Sequence, residues 1–216
     1  MKALHRHLSI ILFVGFSFSL FSQLPPGTVR LKPSETGVKH ATFIDQTEAT
    51  VQHWLDFLHW TKEIYGEESS EYKAMLPDSV ICSQVYIGGF RHPEYRHLPM
   101  VGISYEQAIA YCKWRADRVN ELYKMKKYNY TVSFSLPTET DFAEAYKQQK
   151  IKTDNKNLTF VYWSEKGKIK GIADNAQEFT AEKTVVTGEN AGILQFQPYQ
   201  EPNAMTGLRC VAEIHK

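Results

Sequence analysis

Two cysteine-bearing segments, 98 positions apart, constrain the fold of this chain more than any other feature. The first ends in Ala110-Tyr-Cys-Lys-Trp114, and the second is Gly207-Leu-Arg-Cys-Val-Ala212. A bond between Cys112 and Cys210 would close a loop of roughly 100 residues, which the chain-entropy model values at up to about 4–5 kcal/mol. The chain also contains Cys82, so the residues alone leave three pairings open.

The N-terminus has the pattern of a secretory signal. Lys2 and Arg6 precede an apolar run over residues 8–21. At about 14 residues this run is short for a membrane span and typical of a signal-peptide core. We expect cleavage after Ser22, which leaves no transmembrane segment and no lipid-accepting cysteine at the new N-terminus. The expected location is periplasmic or extracellular, with a retained N-terminal membrane helix as the alternative.

Charge and length exclude several classes of protein. The chain has 25 Lys and Arg residues against 24 Asp and Glu residues, and removal of residues 1–22 takes two of the cations away. A nearly neutral protein has no electrostatic reason to bind nucleic acid or an anionic membrane. The remaining length suits one domain. We predict a signal peptide over residues 1–22, an extended lead-in over 23–39 and a single domain over 40–216.

Three helices are predicted from capping patterns at their N-termini. Thr50 is a suitable N-cap for a helix that continues to about Tyr65. Ser104 and Gln107 form a capping box that opens a helix to about Lys124. A third helix follows Thr138. On the second helix Cys112 shares a face with apolar residues, so its thiol should point inward or toward a bridge partner.

The rest of the chain predicts short strands and loops. The sequence of residues 66–98 predicts irregular structure. Alternating and β-branched runs bounded by Gly, Asn and Pro predict strands over residues 40–45, 130–135, 159–163, 184–187, 193–196 and 208–214. Helices followed by small strands indicate an α+β fold.

Three potential metal ligands lie in the region predicted as irregular. His92, Glu94 and His97 lie close together in sequence, but Pro93 breaks helical geometry and no further ligands follow at zinc-finger spacing. A polar surface loop is the better interpretation.

Five ordered motifs resemble the formylglycine-generating enzyme (sulfatase-modifying factor) family. Its Glu-Val-Thr-Asn-x-x-Phe is similar to residues 48–54, and its Pro-Val-x-x-Val-Ser-Trp-x-x-Ala-x-x-Tyr-Cys-x-Trp is similar to residues 99–114. Its Arg-Leu-Pro-Thr-Glu-Ala-Glu-Trp is similar to residues 135–142. Its Gly-Asn-Val-Trp-Glu-Trp-Thr and Gly-Phe-Arg-Cys correspond to residues 174–180 and 207–210. The resemblance covers roughly residues 40–213 and implies a C-type-lectin-like α+β fold with short twisted sheets and two to three helices.

The resemblance also implies a disulfide and a missing active site. In the family, the cysteines that correspond to Cys112 and Cys210 form a structural bridge. The enzymes of the family use a second, reactive cysteine pair before Gly-Phe-Arg-Cys to bind copper and oxidise a substrate cysteine, and such chemistry needs thiolates. Residues 185–209 contain no cysteine, and Cys82 lies in the wrong region. The histidines do not form the iron-binding pattern of other members. We therefore expect no formylglycine-generating activity.

A structural calcium ion is a separate expectation. In the family, the Asn and Glu of Asn-Val-Trp-Glu bind calcium, and Asn175 and Glu178 retain those oxygen donors. The alternative is that Asn175 caps a turn and Glu178 is solvated or paired with a lysine.

The leading functional hypothesis is an exported, non-catalytic domain that serves as a binding or structural component of the bacterial envelope. Degenerate relatives in gliding-motility and secretion machinery suggest a protein partner there, by analogy only. One alternative is an enzyme of altered chemistry that uses Cys82. Another is lectin-like recognition of glycan or peptide through the loops at residues 66–98 and 162–192.

Overall fold

The computed structural model describes residues 24–32, 42–149, 168–173, 175–190 and 193–216. Its architecture is α+β, as predicted. The helices are α1 (Val51–Tyr65), α2 (Ser70–Met75), α3 (Ser79–Val85), α4 (Tyr105–Met125) and α5 (Glu139–Gln148), with a 3-10 turn at Pro93–Tyr95. The strands are β1 (Thr28–Arg30), β2 (Thr42–Asp45), β3 (Thr131–Ser135), β4 (Gln177–Phe179), β5 (Thr184–Asn190), β6 (Ile193–Pro198), β7 (Thr206–Gly207) and β8 (Val211–His215).

The capping predictions for the three long helices are confirmed. Thr50, Ser104 and Thr138 are the N-caps of α1, α4 and α5, and each takes part in a reciprocal capping box. In the box of α1, the His53 N–H donates to Thr50 Oγ1 and the Thr50 N–H donates to His53 Nδ1. Each box satisfies two backbone groups that a helix N-terminus would otherwise leave unpaired.

The described strands form two four-stranded sheets. The first has the order β1-β2-β8-β3 and is antiparallel throughout. The second has the order β6-β5-β4-β7, in which only the short β4–β7 pair is parallel. Strand β8 comes last in the chain yet lies between β2 and β3. The C-terminal segment is therefore built into the middle of the fold.

Two regions differ from the sequence predictions. The lead-in contains β1, which adds to the edge of the first sheet by pairing with β2. The region predicted as irregular contains α2 and α3, because Ser69 and Asp78 accept hydrogen bonds from the first N–H groups of these helices. Both helices are shorter than eight residues and show no long apolar period, which is why the pattern did not reveal them. The strand predicted over residues 159–163 lies outside the described residues.

The core lies on both faces of the β2–β8 pair. On one face Phe43 and Ala212 pack with residues of α1 and α4, including Trp54 and Tyr111, whose rings stack 5.7 Å apart. On the other face Ile44 and Val211 pack against α5 and the residues near Ile172. Because both faces are covered, the segments next to β2 and β8 are deeply buried.

Among the described helices, none is long and apolar enough to cross a membrane. His92, Glu94 and His97 lie in an exposed loop around the 3-10 turn. Within the described ranges, no group of three or more His, Cys, Asp or Glu side chains is arranged to hold a metal ion.

Candidate functional site

The structure brings Cys112 and Cys210 together. Cys112 lies on the inner face of α4, and Cys210 directly precedes β8. Both are buried, and their Sγ atoms are 3.1 Å apart. A disulfide needs about 2.05 Å between the sulfurs. Both thiols are free in the structure, so the bridge stays a prediction, although the fold places its two partners in contact.

The environment of Cys82 and Cys112 keeps these two thiols protonated. Burial raises the pKa of Cys112, and the hydrogen bond with Cys210 raises it further. Burial, with a smaller contribution from Asp78, raises the pKa of Cys82 to about 12. The Cys82 Sγ donates to the Val101 carbonyl at 3.6 Å. A thiol with so high a pKa is a poor nucleophile and a poor ligand for a soft metal.

One predicted calcium ligand, Glu178, contacts a guanidinium group, and the other, Asn175, contacts a second carboxyl group beside it. Glu178, on β4, is fully buried, and its Oε1 accepts a hydrogen bond of 2.6 Å from Arg209 Nε. Asn175 precedes β4 and makes a side-chain hydrogen bond with Glu48. The Glu48 carboxylate lies 3.8 Å from Arg209 Nη2. Asn175 and Glu178 therefore belong to one cluster, as the motif implied, but Arg209 lies at its centre.

Backbone carbonyls complete the hydrogen bonding of Arg209. Its Nη1 donates to the Asp45 carbonyl at 3.0 Å and its Nη2 to the Lys170 carbonyl at 2.7 Å. The planar guanidinium thus joins the end of β2, the segment before β4, and β4 itself. Gly171 comes so close that a Cβ atom there would lie 2.7 Å from Glu48 Oε1, and its φ of +77° also favours glycine.

The cluster contains two buried carboxyl groups for one guanidinium. Burial raises the pKa of Glu178 to about 8; Arg209 opposes this shift and Glu48 adds to it. Burial also raises the pKa of Glu48, again against Arg209. Among the described residues, Glu178 Oε2 has no hydrogen-bond partner. These directions indicate that one carboxyl group of the pair holds a proton over part of the neutral range.

The donor set does not fit a calcium ion in this arrangement. Calcium requires six to eight oxygen ligands, whereas both Glu carboxylates here face Arg209 and two nearby carbonyls already accept from it. A divalent cation would also lie beside a buried positive charge. The described residues therefore form an internal ion-pair cluster, and calcium binding remains an untested prediction.

A second, partly buried ion pair links the cluster to the cysteines. Asp45 Oδ2 accepts from Arg115 Nη1 and from the Cys210 N–H, the latter at 2.9 Å. The Arg115 guanidinium also lies over the Phe134 ring, 4.4 Å from its centroid. Asp45 thus contacts α4, the segment before β8 and, through its carbonyl, Arg209.

Local sequence patterns assign no role to Asp45, Glu48, Arg115 or Arg209. A signal was present for one of them, since Arg209 is a charged residue inside the apolar run Gly207-Leu-Arg-Cys-Val-Ala212. A fully buried arginine must be paired. Its partners come from residues 31 and 161 positions away, and no local pattern identifies such distant partners.

Comparison with known proteins agrees with the motif analysis. The model of the sulfatase-modifying factor enzyme 1-like domain (FGE-sulfatase) matches residues 21–201. Among solved structures, variable protein 1 of Treponema denticola is similar, with a TM-score of 0.44 and 14% identity over 85% of this chain and 91% of that chain. No curated protein matches. The family match spans most of the chain, and the α+β architecture with two small sheets is that of the sulfatase-modifying factor fold. The chain belongs to the sulfatase-modifying factor enzyme 1-like family.

Proposed function

We propose that this chain is an exported, non-catalytic member of its family that acts as a binding or structural component of the bacterial envelope. The observation that carries the proposal is the lack of cysteine in residues 185–209, where the enzymes of the family hold their reactive pair. Copper chemistry on a substrate thiol requires soft thiolate ligands, and no residue in that segment supplies one.

The three cysteines of the chain support the same conclusion. Cys112 and Cys210 face each other inside the core, and Cys82 is buried under the Val101 carbonyl. Burial raises the pKa of Cys82 to about 12, which counts against the alternative of an enzyme with Cys82 as nucleophile. The family scaffold is thus retained without the sulfur chemistry.

Copper binding and thiol oxidation test the proposal directly. Purified mature protein is titrated with Cu(I) under a competing chelator and then incubated aerobically with a cysteine-containing peptide. We expect no stoichiometric copper binding at the chelator's affinity and no aldehyde product by mass spectrometry. A Cys82→Ser variant serves as the control for adventitious binding. Stoichiometric copper with oxidation of the peptide would overturn the proposal.

Alkylation of the folded protein tests the Cys82 alternative. We expect iodoacetamide at pH 8 to label Cys82 only after unfolding. The matched control is the double variant Cys82→Ala/Ser83→Cys, which moves the thiol to the adjacent exposed position on α3. This thiol should react at the rate of a free cysteine. Fast labelling of Cys82 in the native protein would favour a chemical role.

Export and an envelope partner require their own measurements. We infer cleavage after Ser22 from the N-terminal pattern, so mass spectrometry of the native protein should find Gln23 as the first residue. Cross-linking in intact cells should then join the protein to a component of a secretion or gliding apparatus. A cytoplasmic protein that retains residues 1–22 would contradict this part of the proposal.

A further inference from the structure

A groove of about 530 Å³ lies between helices α1, α2 and α4. It opens beside the contact at which Gln107 Nε2 of α4 donates to the Ala74 and Leu76 carbonyls at the C-terminal end of α2. Its volume lies in the range of about 300–1,000 Å³ that is usual for small-molecule sites, whose walls are mostly apolar and aromatic. The apolar walls of this groove include Phe57, Trp60, Tyr65, Met75, Ala110 and Trp114.

Three aromatic rings of the groove are accessible to solvent. Tyr65 is 51% exposed, and Trp60 and Trp114 are half-buried. The rings of Trp60 and Tyr65 are nearly perpendicular, at 78° with 6.4 Å between their centroids, so they form two adjoining sides of a corner. The Trp114 ring packs against the buried Phe57 ring at 5.4 Å, which restricts its orientation. The groove therefore presents aromatic surfaces in more than one direction to a single bound group.

One of these rings already contacts a cation. The Arg118 guanidinium lies over the Trp60 ring, 4.6 Å from its centroid. The face of an aromatic ring carries negative potential, and Trp attracts cations more strongly than the other aromatic residues. Arg118 is not among the residues that line the groove, so it supports the ring from outside and leaves its groove side open.

The polar residues of the groove carry an excess of negative charge. Glu71 of α2 and Asp117 of α4 both line it, and both are exposed. Glu71 accepts a hydrogen bond of 3.0 Å from the neutral Ser70 hydroxyl. Lys113 also lines the groove, one turn before Asp117 on α4. One ammonium group can neutralise only one of the two carboxylates.

We propose that this groove binds a small organic cation with an apolar body, such as a trimethylammonium compound. The cation contacts the aromatic rings, and the two carboxylates stabilise its charge from the mouth of the groove. Aromatic side chains that surround a quaternary ammonium group are an established mode of cation recognition. The site contains no cysteine, so this ligand class goes beyond the proposed envelope role and does not depend on it.

Other ligand classes fit the groove less well. An anion would meet two carboxylates and the negative faces of the rings. A neutral apolar molecule would fill the same volume but would gain nothing from Glu71 and Asp117. Both the aromatic walls and the acidic mouth favour a ligand only when it is apolar and positively charged.

Indole N–H resonances give a site-specific test, because Trp60 and Trp114 line the groove. Choline, tetramethylammonium and benzyltrimethylammonium are added separately to the mature protein at millimolar concentration and constant ionic strength. We expect at least one of them to shift both indole signals in a proton–nitrogen correlation spectrum. The variants Trp60→Phe and Trp114→Phe identify the two signals by their loss.

The neutral carbon analogue of choline, in which a tert-butyl group replaces trimethylammonium, separates charge from shape. Because it has the same size and no charge, it loses both the ring and the carboxylate interactions of the cation. We expect it to bind about tenfold more weakly than choline.

Variants then locate the site. Glu71→Gln/Asp117→Asn removes both carboxylates with little change of shape and should weaken cation binding about fivefold. The matched control Glu94→Gln/Glu213→Gln removes two exposed carboxylates outside the groove and should leave the affinity unchanged. Tyr65→Ser removes an exposed ring and should also weaken binding about fivefold.

Four outcomes would overturn the proposal. They are no indole shift with any cation, equal affinity for choline and its neutral analogue, equal affinity of the groove double variant and its control, and binding of a trimethyllysine peptide without binding of any free cation. None of these outcomes bears on copper binding or peptide oxidation, so the proposed non-catalytic role is tested separately.

Discussion

The Arg209 guanidinium forms ion pairs with two buried carboxyl groups and donates hydrogen bonds to two backbone carbonyls. Desolvation makes an isolated charge at this depth very unfavourable, so the cluster is stable only as a complete set. Removal of one member leaves its partners buried with their charge or hydrogen bonds unsatisfied. The cluster therefore makes the junction of β2, β4 and the segment before β8 sensitive to single substitutions.

The substitution Arg209→Met should destabilise the protein by about 3–5 kcal/mol, because it leaves Glu178 and Glu48 without a cation. Urea denaturation at pH 7 measures the loss. The control Arg96→Met removes an exposed arginine and should change the free energy of unfolding by less than about 0.5 kcal/mol. Equal effects of the two substitutions would show that the cluster contributes little.

The raised pKa of Glu178 predicts that the stability of the protein depends on pH. Its pKa is about 8 in the folded protein against an ordinary value of 4.5. Between these values the folded state binds more protons than the unfolded state, so the contribution of Glu178 to the free energy of unfolding falls as the pH rises. It is complete below about pH 4.5 and lost above about pH 8.

The variant Glu178→Gln isolates this contribution. Denaturation at pH 5, 6, 7 and 8 should show that wild type loses stability relative to Glu178→Gln as the pH rises. The difference between the two proteins removes the titration of other groups, including His53, whose lowered pKa gives a slope of the opposite sign. A constant difference across this range would contradict the raised pKa.

At the scale of elements, α4 depends on contacts at its first turn. Gln107 has two roles there, since its Oε1 accepts the Ser104 N–H at 2.9 Å and its Nε2 donates to the Ala74 and Leu76 carbonyls, both at 2.8 Å. The same side chain thus caps α4 and satisfies the C-terminal end of α2. The short helix α2 could not satisfy those carbonyls by itself.

Two substitutions at Gln107 separate these roles. Gln107→Ala removes both and should cost about 1–2 kcal/mol. Gln107→Glu keeps the capping acceptor but removes the donors to Ala74 and Leu76. Hydrogen exchange should therefore accelerate around residues 70–77 in both variants, and at the start of α4 only in Gln107→Ala. Equal exchange at the start of α4 in the two variants would contradict the capping role.

At the scale of the whole molecule, the cysteine contact connects α4 to the last strand of the first sheet. Because β8 lies between β2 and β3, a bond from Cys112 to Cys210 would join the helical layer to the centre of that sheet. A disulfide at this contact would close a long loop. In the chain-entropy model, the stabilisation of the folded state by a disulfide increases with the length of the loop that it closes.

Oxidised protein should contain a Cys112–Cys210 bridge and be more stable than reduced protein by up to about 4–5 kcal/mol. A peptide map without reductant and denaturation with and without reductant measure the two effects. Cys82→Ala should keep the dependence on reductant, whereas Cys112→Ala/Cys210→Ala should lose it. A linked peptide that contains Cys82 would contradict the predicted pairing.

Local patterns in the sequence predicted the long helices, the α+β class and the family. Capping boxes, apolar periods and alternation depend on residues within one or two turns, so they can be recognised without a structure. The same patterns do not reveal α2 and α3, which are too short for a period, or β1, whose three residues are too few for a recognisable alternation.

The ion-pair cluster is visible only in the tertiary structure. Asp45, Arg115, Glu178 and Arg209 are far apart in the chain, and their pairing depends on how β2, α4, β4 and β8 meet. Burial then determines their chemistry, because desolvation acts only after folding brings them inside. The sequence by itself determined the three long helices and showed that residues 185–209 contain no cysteine. The packing of distant segments decided that Glu178 pairs with a buried arginine and that Asn175 bonds to Glu48, the second carboxyl group of the same cluster.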